Sequence, residues 1–124
     1  MNVCNFYVTT NFKTTIVIVS QMTEWVVLVL DKADRAPYRA QHLAGIPPQV
    51  EAGKLVCAGA IYNEPKAPGE PRTFAGSHLQ VVADTKEEAL DIVKADIFAK
   101  EGVWDVDNAI VYQFGCAVRQ PVSK

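Results

Sequence analysis

The residues best suited to chemistry in this chain are one histidine and one aspartate. His42 sits in the run Tyr38-Arg39-Ala40-Gln41-His42-Leu43, and Asp96 in Ala95-Asp96-Ile97-Phe98. A carboxylate beside an imidazole fixes the ring's tautomer and stabilises its charged form, which makes such a pair a proton-transfer device. The plain alternatives are a half-exposed helix histidine and an aspartate that caps a turn through backbone N–H groups. The two residues are distant in sequence. Each follows a different predicted strand, so a fold that repeats a strand-helix half could bring them together.

The elements that would do so are legible in the pattern. Trp25–Leu30 is an unbroken apolar run with valine at three positions, short and β-branched, which predicts a buried strand. Asp31–Pro37 is a polar turn whose Pro37 suits the first turn of a helix, and Tyr38, Leu43 and Ile46 recur at roughly helical spacing. Pro47-Pro48 is predicted to interrupt that helix, because proline lacks the N–H and clashes with the preceding turn. A second short turn over Pro48–Ala52 would then end at Gly53, a natural residue to follow a helix.

Lys54–Tyr62 reads as the second strand, with Gly59 marking a bulge or a close backbone approach. Asn63–Arg72, rich in proline and charge, is an exposed loop. Thr73–Ala83 is the third strand, hairpin-paired with the second. Thr85 and Glu88 form a capping box that opens a helix with Ala89, Leu90, Val93 and Ile97 on one face. Gly102 closes that region, and Ala109–Phe114 is the last strand. The order β-α-β-β-α-β predicts an α+β, ferredoxin-like fold with an antiparallel sheet and both helices on one face. Its helix-free face is apolar and needs cover, for which a second copy of the chain is the simplest source, so a homodimer is expected.

Residues 1–21 read as an N-terminal extension, residues 22–120 as the core domain and residues 121–124 as a tail. Met22-Thr23-Glu24 looks like a natural start, and Phe6–Thr9 or Ile16–Val19, if ordered, would be a strand at a sheet edge. The net charge of −2 without a basic cluster argues against nucleic acid as a partner. No apolar run approaches the ~20 residues of a membrane helix, and the apolar stretch after Lys13 is too short for a signal peptide. Cys4, Cys57 and Cys116 are an odd set without metal or disulfide spacing, expected as buried or semi-buried thiols in a reducing cytoplasm. With two histidines and no paired cysteines, no metal site is expected.

Several short motifs, in order, resemble the YCII-related (YciI-like) proteins across Met22–Arg119. They are Glu24-Trp25 opening the first strand; Arg39-x-x-His42-Leu43; Glu51-Ala52-Gly53-Lys54-Leu55 with Ala58-Gly59; Phe74-x-Gly76-Ser77; Thr85-x-Glu87-Glu88-Ala89; and Ala95-Asp96-x-Phe98 with Gly102-Val103-Trp104. The resemblance implies a dimeric α+β barrel with an active site built on His42 and Asp96, lined by Arg39 and Ser77. The family usually has proline after the aspartate, where this chain has Ile97, and its first helix normally continues where Pro47-Pro48 stands.

Relatives of this kind eliminate HCl from a chlorinated hydroxyhydroquinone, move protons on small lactones, or tailor aromatic and polyketide-like compounds, using a base in an apolar pocket and no cofactor. The function implied is a cofactor-free lyase or isomerase acting on a small cyclic or aromatic molecule. In it His42 is the base, Asp96 orients the ring and Arg39 neutralises the developing oxyanion. The alternative is a non-catalytic dimeric module that binds a small ligand or assists another protein. For Arg39 the plain reading is a salt bridge with Asp31 or Asp34, for Ser77 a strand hydroxyl bonded to backbone, and for Trp25, Phe74, Phe98 and Trp104 simple core packing.

Overall fold

The computed structural model describes residues 6–10, 13–17 and 23–123, the first two stretches as backbone strands. Strands β1 (Phe6–Thr10) and β2 (Lys13–Val17) pair antiparallel with each other. They form a two-stranded sheet of their own, in which each is an edge strand. Ile18 and Val19 lie outside the described residues.

The main sheet is built from β3 (Thr23–Leu30), β4 (Leu55–Tyr62), β5 (Phe74–Ala83) and β6 (Ile110–Phe114) in the order β4-β5-β3-β6, with every pair antiparallel. Each strand starts within a residue or two of where the sequence predicts it. Helix α1 (Arg39–Glu51) joins β3 to β4, while α2 (Lys86–Lys94) and the short α3 (Ile97–Lys100) join β5 to β6. This is the ferredoxin-like α+β arrangement that the sequence predicts.

Strand alternation sorts the side chains. Val27, Val29, Leu79 and Val81 share one face, with Val27 opposite Leu79 and Val29 opposite Ser77. They pack with Ala89 and Val93 of α2, Phe98 of α3 and the following Val103 and Trp104 into the buried core. Thr85 caps α2 by accepting from the Glu88 N–H at 3.1 Å, and Glu88 reaches back to accept from Asp84 N–H at 3.0 Å. Thr85 thus satisfies a donor that the first helical turn leaves free, while Glu88 reaches back one residue beyond the cap, to Asp84 rather than to the Thr85 N–H. Ile97, predicted on the same face of this helix, instead begins α3, because the chain turns at Ala95-Asp96.

Two expectations about the backbone fail. Helix α1 does not break at Pro47-Pro48 but runs through both prolines to Glu51. Those residues cannot donate to the carbonyls of Leu43 and Ala44, yet α1 has no buried residue, so solvent can satisfy carbonyls that a buried helix would leave bare. Gly53 follows the helix end with φ 73°, the left-handed conformation a glycine takes there. Nor is Gly59 a point of close approach, since a Cβ there would meet nothing within 4 Å. The register shifts of β4 fall between Leu55 and Cys57 and between Ile61 and Tyr62. The close approach is at Gly76, opposite Leu30, where a Cβ would strike the Val29 carbonyl and lie 2.7 Å from Leu30 Cα.

The helix-free face carries Val26, Leu28 and Leu30 beside Ile110 and Tyr112, with Leu30 58%, Ile110 51% and Tyr112 71% exposed. At one end of it Glu24 is fully buried and accepts from Gln80 Nε2 at 3.1 Å and Arg119 Nη2 at 2.6 Å. That hydrogen bond raises the Arg119 pKa above its ordinary value and fastens the C-terminal segment, which had no readable pattern, to the sheet.

Candidate active site

Asp96 occupies the break between α2 and α3. Its backbone is extended (φ −73°, ψ 146°), and its Oδ1 accepts from the Phe98 N–H at 2.9 Å, so it caps α3. The same carboxylate faces His42, whose Nδ1 lies 2.9 Å from Oδ1 and 2.8 Å from Oδ2. Capping and pairing therefore coexist: the cap fixes the carboxylate, and the carboxylate fixes the ring. Its side chain and that of His42 are only 17% and 14% exposed.

A carboxylate accepts hydrogen bonds and does not donate them, so the proton between the two sits on Nδ1. In the neutral ring Nε2 then bears the lone pair. The imidazole stacks on Phe98 with centroids 4.1 Å apart and planes 12° apart, and meets the Trp104 edge at 5.6 Å. Two aromatic walls and a bifurcated hydrogen bond leave the ring no freedom to turn. Phe98 and Trp104 are thus both core residues and the platform for His42.

His42 opens onto a cavity of about 240 Å³ between α1 and the sheet, lined also by Arg39, Tyr62, Phe74, Ser77 and Trp104. The four sequence-predicted residues, His42, Asp96, Arg39 and Ser77, all border it. Arg39 is exposed and forms no ion pair among the described residues. Neither of its expected partners holds it: Asp31 is taken by Arg35, and Asp34 accepts from the Ala36 N–H at 3.0 Å. Ser77 is buried and bonded not to backbone but to side chains, accepting from Trp104 Nε1 at 3.2 Å and Arg35 Nη2 at 3.1 Å. A second hollow of about 250 Å³ lies on the other side of the His42–Asp96 pair, between α1 and the α2–α3 corner.

Arg35 is the residue that the sequence reading passed over. It is 5% exposed and holds Asp31 through two contacts at 2.7 and 2.8 Å, with a further bond of 2.8 Å to the Gly76 carbonyl. Its guanidinium lies 4.5 Å from the Phe74 ring centre and 5.0 Å from that of Phe98. The Asp31/Arg35 spacing of four was a usable hint of pairing. Its link to Ser77 is made only by the register of β3 against β5.

The family assignment rests on the sequence itself. The model of the YCII-related domain matches residues 15–113 of this chain. The chain belongs to the YCII-related family. Among relatives of this YCII-related protein, fusaric acid biosynthesis protein 2 of Gibberella moniliformis is 28% identical over 99 residues, covering 77% of this chain and 95% of that protein. Aspercryptin biosynthesis cluster protein B of Emericella nidulans is 32% identical over 108 residues, covering 82% and 68%. A solved structure, the dehydrochlorinase of 5-chloro-2-hydroxyhydroquinone from Burkholderia phenoliruptrix in complex with 2,5-dihydroxybenzoquinone, shares the fold with a TM-score of 0.61. It is 22% identical, and the match covers 74% of this chain and 93% of that one.

Where the family usually has proline after the motif aspartate, Ile97 starts α3 and packs against the core, and Asp96 keeps its cap. Among the described residues no group of three or more His, Cys, Asp or Glu could hold a metal ion, and no helix is long and apolar enough to cross a membrane. Cys57 is exposed, contrary to the expected buried or semi-buried thiol, because it sits on the helix-free face of β4 opposite Gln80; Cys116 is half-buried. Cys4 lies outside the described residues.

Proposed function

We propose that this YCII-related protein is a lyase or isomerase that moves a proton on a small cyclic or aromatic substrate, using its own side chains and no resident cofactor. One observation carries the reading: His42 Nδ1 is held by both oxygens of Asp96, which leaves the Nε2 lone pair free beside an aromatic-walled cavity. In this reading Nε2 takes a proton from carbon or from a phenolic hydroxyl. The released electron pair moves onto a substrate oxygen, where Arg39 offsets the charge. A leaving group then departs with an electron pair, or the proton returns at another carbon. Asp96 stabilises the imidazolium in between. Two relatives named for biosynthesis and a structural neighbour named as a dehydrochlorinase support small-molecule conversion.

The protein acts as a homodimer in this account, its copies meeting through the helix-free face, where Leu30, Ile110 and Tyr112 stand exposed in one apolar patch. A reducing cytoplasm suits the exposed thiol of Cys57. The test is a screen of small phenols, quinones and lactones with wild type and His42→Ala. General-base catalysis contributes about 10²–10⁴-fold, so turnover of any accepted compound falls by that factor in the variant. Equal turnover by the two proteins leaves the alternative, a binding module without chemistry.

A further inference from the structure

The bonding of Ser77 says more than that it borders the cavity. Its Oγ lies 3.1 Å from Arg35 Nη2 and 3.2 Å from Trp104 Nε1. Guanidinium and indole nitrogens donate hydrogen bonds and do not accept them. Both contacts therefore fill lone pairs of the hydroxyl, and neither uses its proton. Among the described residues that proton has no acceptor, although the residue is only 4% exposed. A buried, unspent donor is costly, and the open space it borders is the cavity that also holds His42.

We propose that Ser77 is an obligate hydrogen-bond donor to an acceptor oxygen of the substrate, a carbonyl, enolate or phenolate, and that Arg35 and Trp104 are the positioning residues that make it one. The proposal rests on the reading of His42 as base and names the chemistry of the group that base works beside. An ordinary serine turns to donate or accept as its partner requires. Here the two fixed donors remove that choice. Arg35 shares its Nη2 hydrogens among Asp31, Gly76 and Ser77, and its charge further polarises the hydroxyl. Asp31 in turn holds the guanidinium in place through two contacts. An oxygen that gains negative charge as His42 withdraws a proton meets a donor that cannot rotate away. A ligand presenting an N–H or O–H without an acceptor lone pair at that spot sets donor against donor.

The test is calorimetric binding of three ligands of one shape, para-chlorophenol, para-chlorotoluene and para-chloroaniline, to the full chain. Wild type should prefer the phenol to the toluene by about tenfold, the worth of one well-made hydrogen bond in a buried site, with the aniline, whose nitrogen lone pair is drawn into the ring and accepts poorly, well below the phenol. Ser77→Ala should bring phenol and toluene to near parity, and Ser77→Thr, which keeps a hydroxyl, should restore the preference. Trp104→Phe keeps the ring but returns a lone pair to Ser77. The aniline should then gain about tenfold relative to the phenol, a change that a purely structural Trp104 would not produce. The same ligand order in wild type, Ser77→Ala and Trp104→Phe overturns the proposal, as does a wild type that does not favour the phenol or binds none of the three. The two readings fail separately: equal turnover by wild type and His42→Ala overturns His42 as the base, whereas an unchanged ligand order in Ser77→Ala overturns Ser77 as the donor.

Discussion

Replacing Asp96 by asparagine should switch off the base while leaving the fold nearly untouched. Asparagine caps helices as well as aspartate does, so its Oδ1 can still accept from the Phe98 N–H, now 2.9 Å away. Its amide NH₂ then faces His42 Nδ1 where a carboxylate oxygen stood at 2.8 Å. A donor at that position forces Nδ1 to accept, which moves the ring proton to Nε2, the atom that must be free for proton abstraction. Stability should change by about 1 kcal/mol or less, because the cap is kept while the carboxylate's contact with His42 becomes a neutral hydrogen bond. Asp96→Ala loses the cap and should cost about 1 kcal/mol, a fall in melting temperature of roughly 3–5 °C for a chain of this length. The rate on any accepted substrate should fall by about 10²–10⁴-fold in both variants. Thermal unfolding followed by circular dichroism gives the stability, and long-range ¹H–¹⁵N spectra of the histidine ring give the tautomer without any substrate. If Asp96→Asn still shows the proton on Nδ1, or turns substrate over as wild type does, the argument from tautomer to base collapses.

Two further outcomes can be checked on the purified protein. Gly76→Ala should destabilise by about 1–3 kcal/mol or more, since the added carbon meets backbone atoms of β3 that cannot move aside, whereas Gly59→Ala, with nothing within 4 Å, should cost less than about 0.5 kcal/mol; paired chemical-denaturation curves decide it. Tyr112→Asp together with Ile110→Lys should turn the proposed dimer into a monomer with an unaltered circular dichroism spectrum, and sedimentation equilibrium showing the same mass before and after would count against that face as the interface.

Much of the fold was legible because its signals are local. The β-branched run at Trp25–Leu30 and the apolar stretches within Lys54–Tyr62 and Thr73–Ala83 are strands, and Thr85 with Glu88 starts a helix through bonds made within a few residues. Local rules also caused the errors. The proline rule for Pro47-Pro48 assumes that a lost backbone bond must be costly, and α1 is exposed enough for it not to be. Gly59 and Gly76 look alike in sequence, and only the pairing of β5 with Leu30 makes the second one indispensable. His42 and Asp96 could be named from their types and from the family motifs. The role of Arg35 could not, because it depends on Ser77 and Gly76 being carried alongside Asp31 by the strand register.

The most direct measurement of the central claim needs no knowledge of the natural substrate. Small cyclic enones, lactones and phenols are incubated in D₂O with wild type or with His42→Ala, and loss of carbon-bound proton signal is followed by ¹H NMR. If a free imidazole nitrogen in this cavity abstracts protons, wild type exchanges at least one of these compounds 10²-fold or more faster than the variant, to order of magnitude. Exchange at the same rate with both proteins would mean that the His42–Asp96 pair holds the structure together and performs no chemistry.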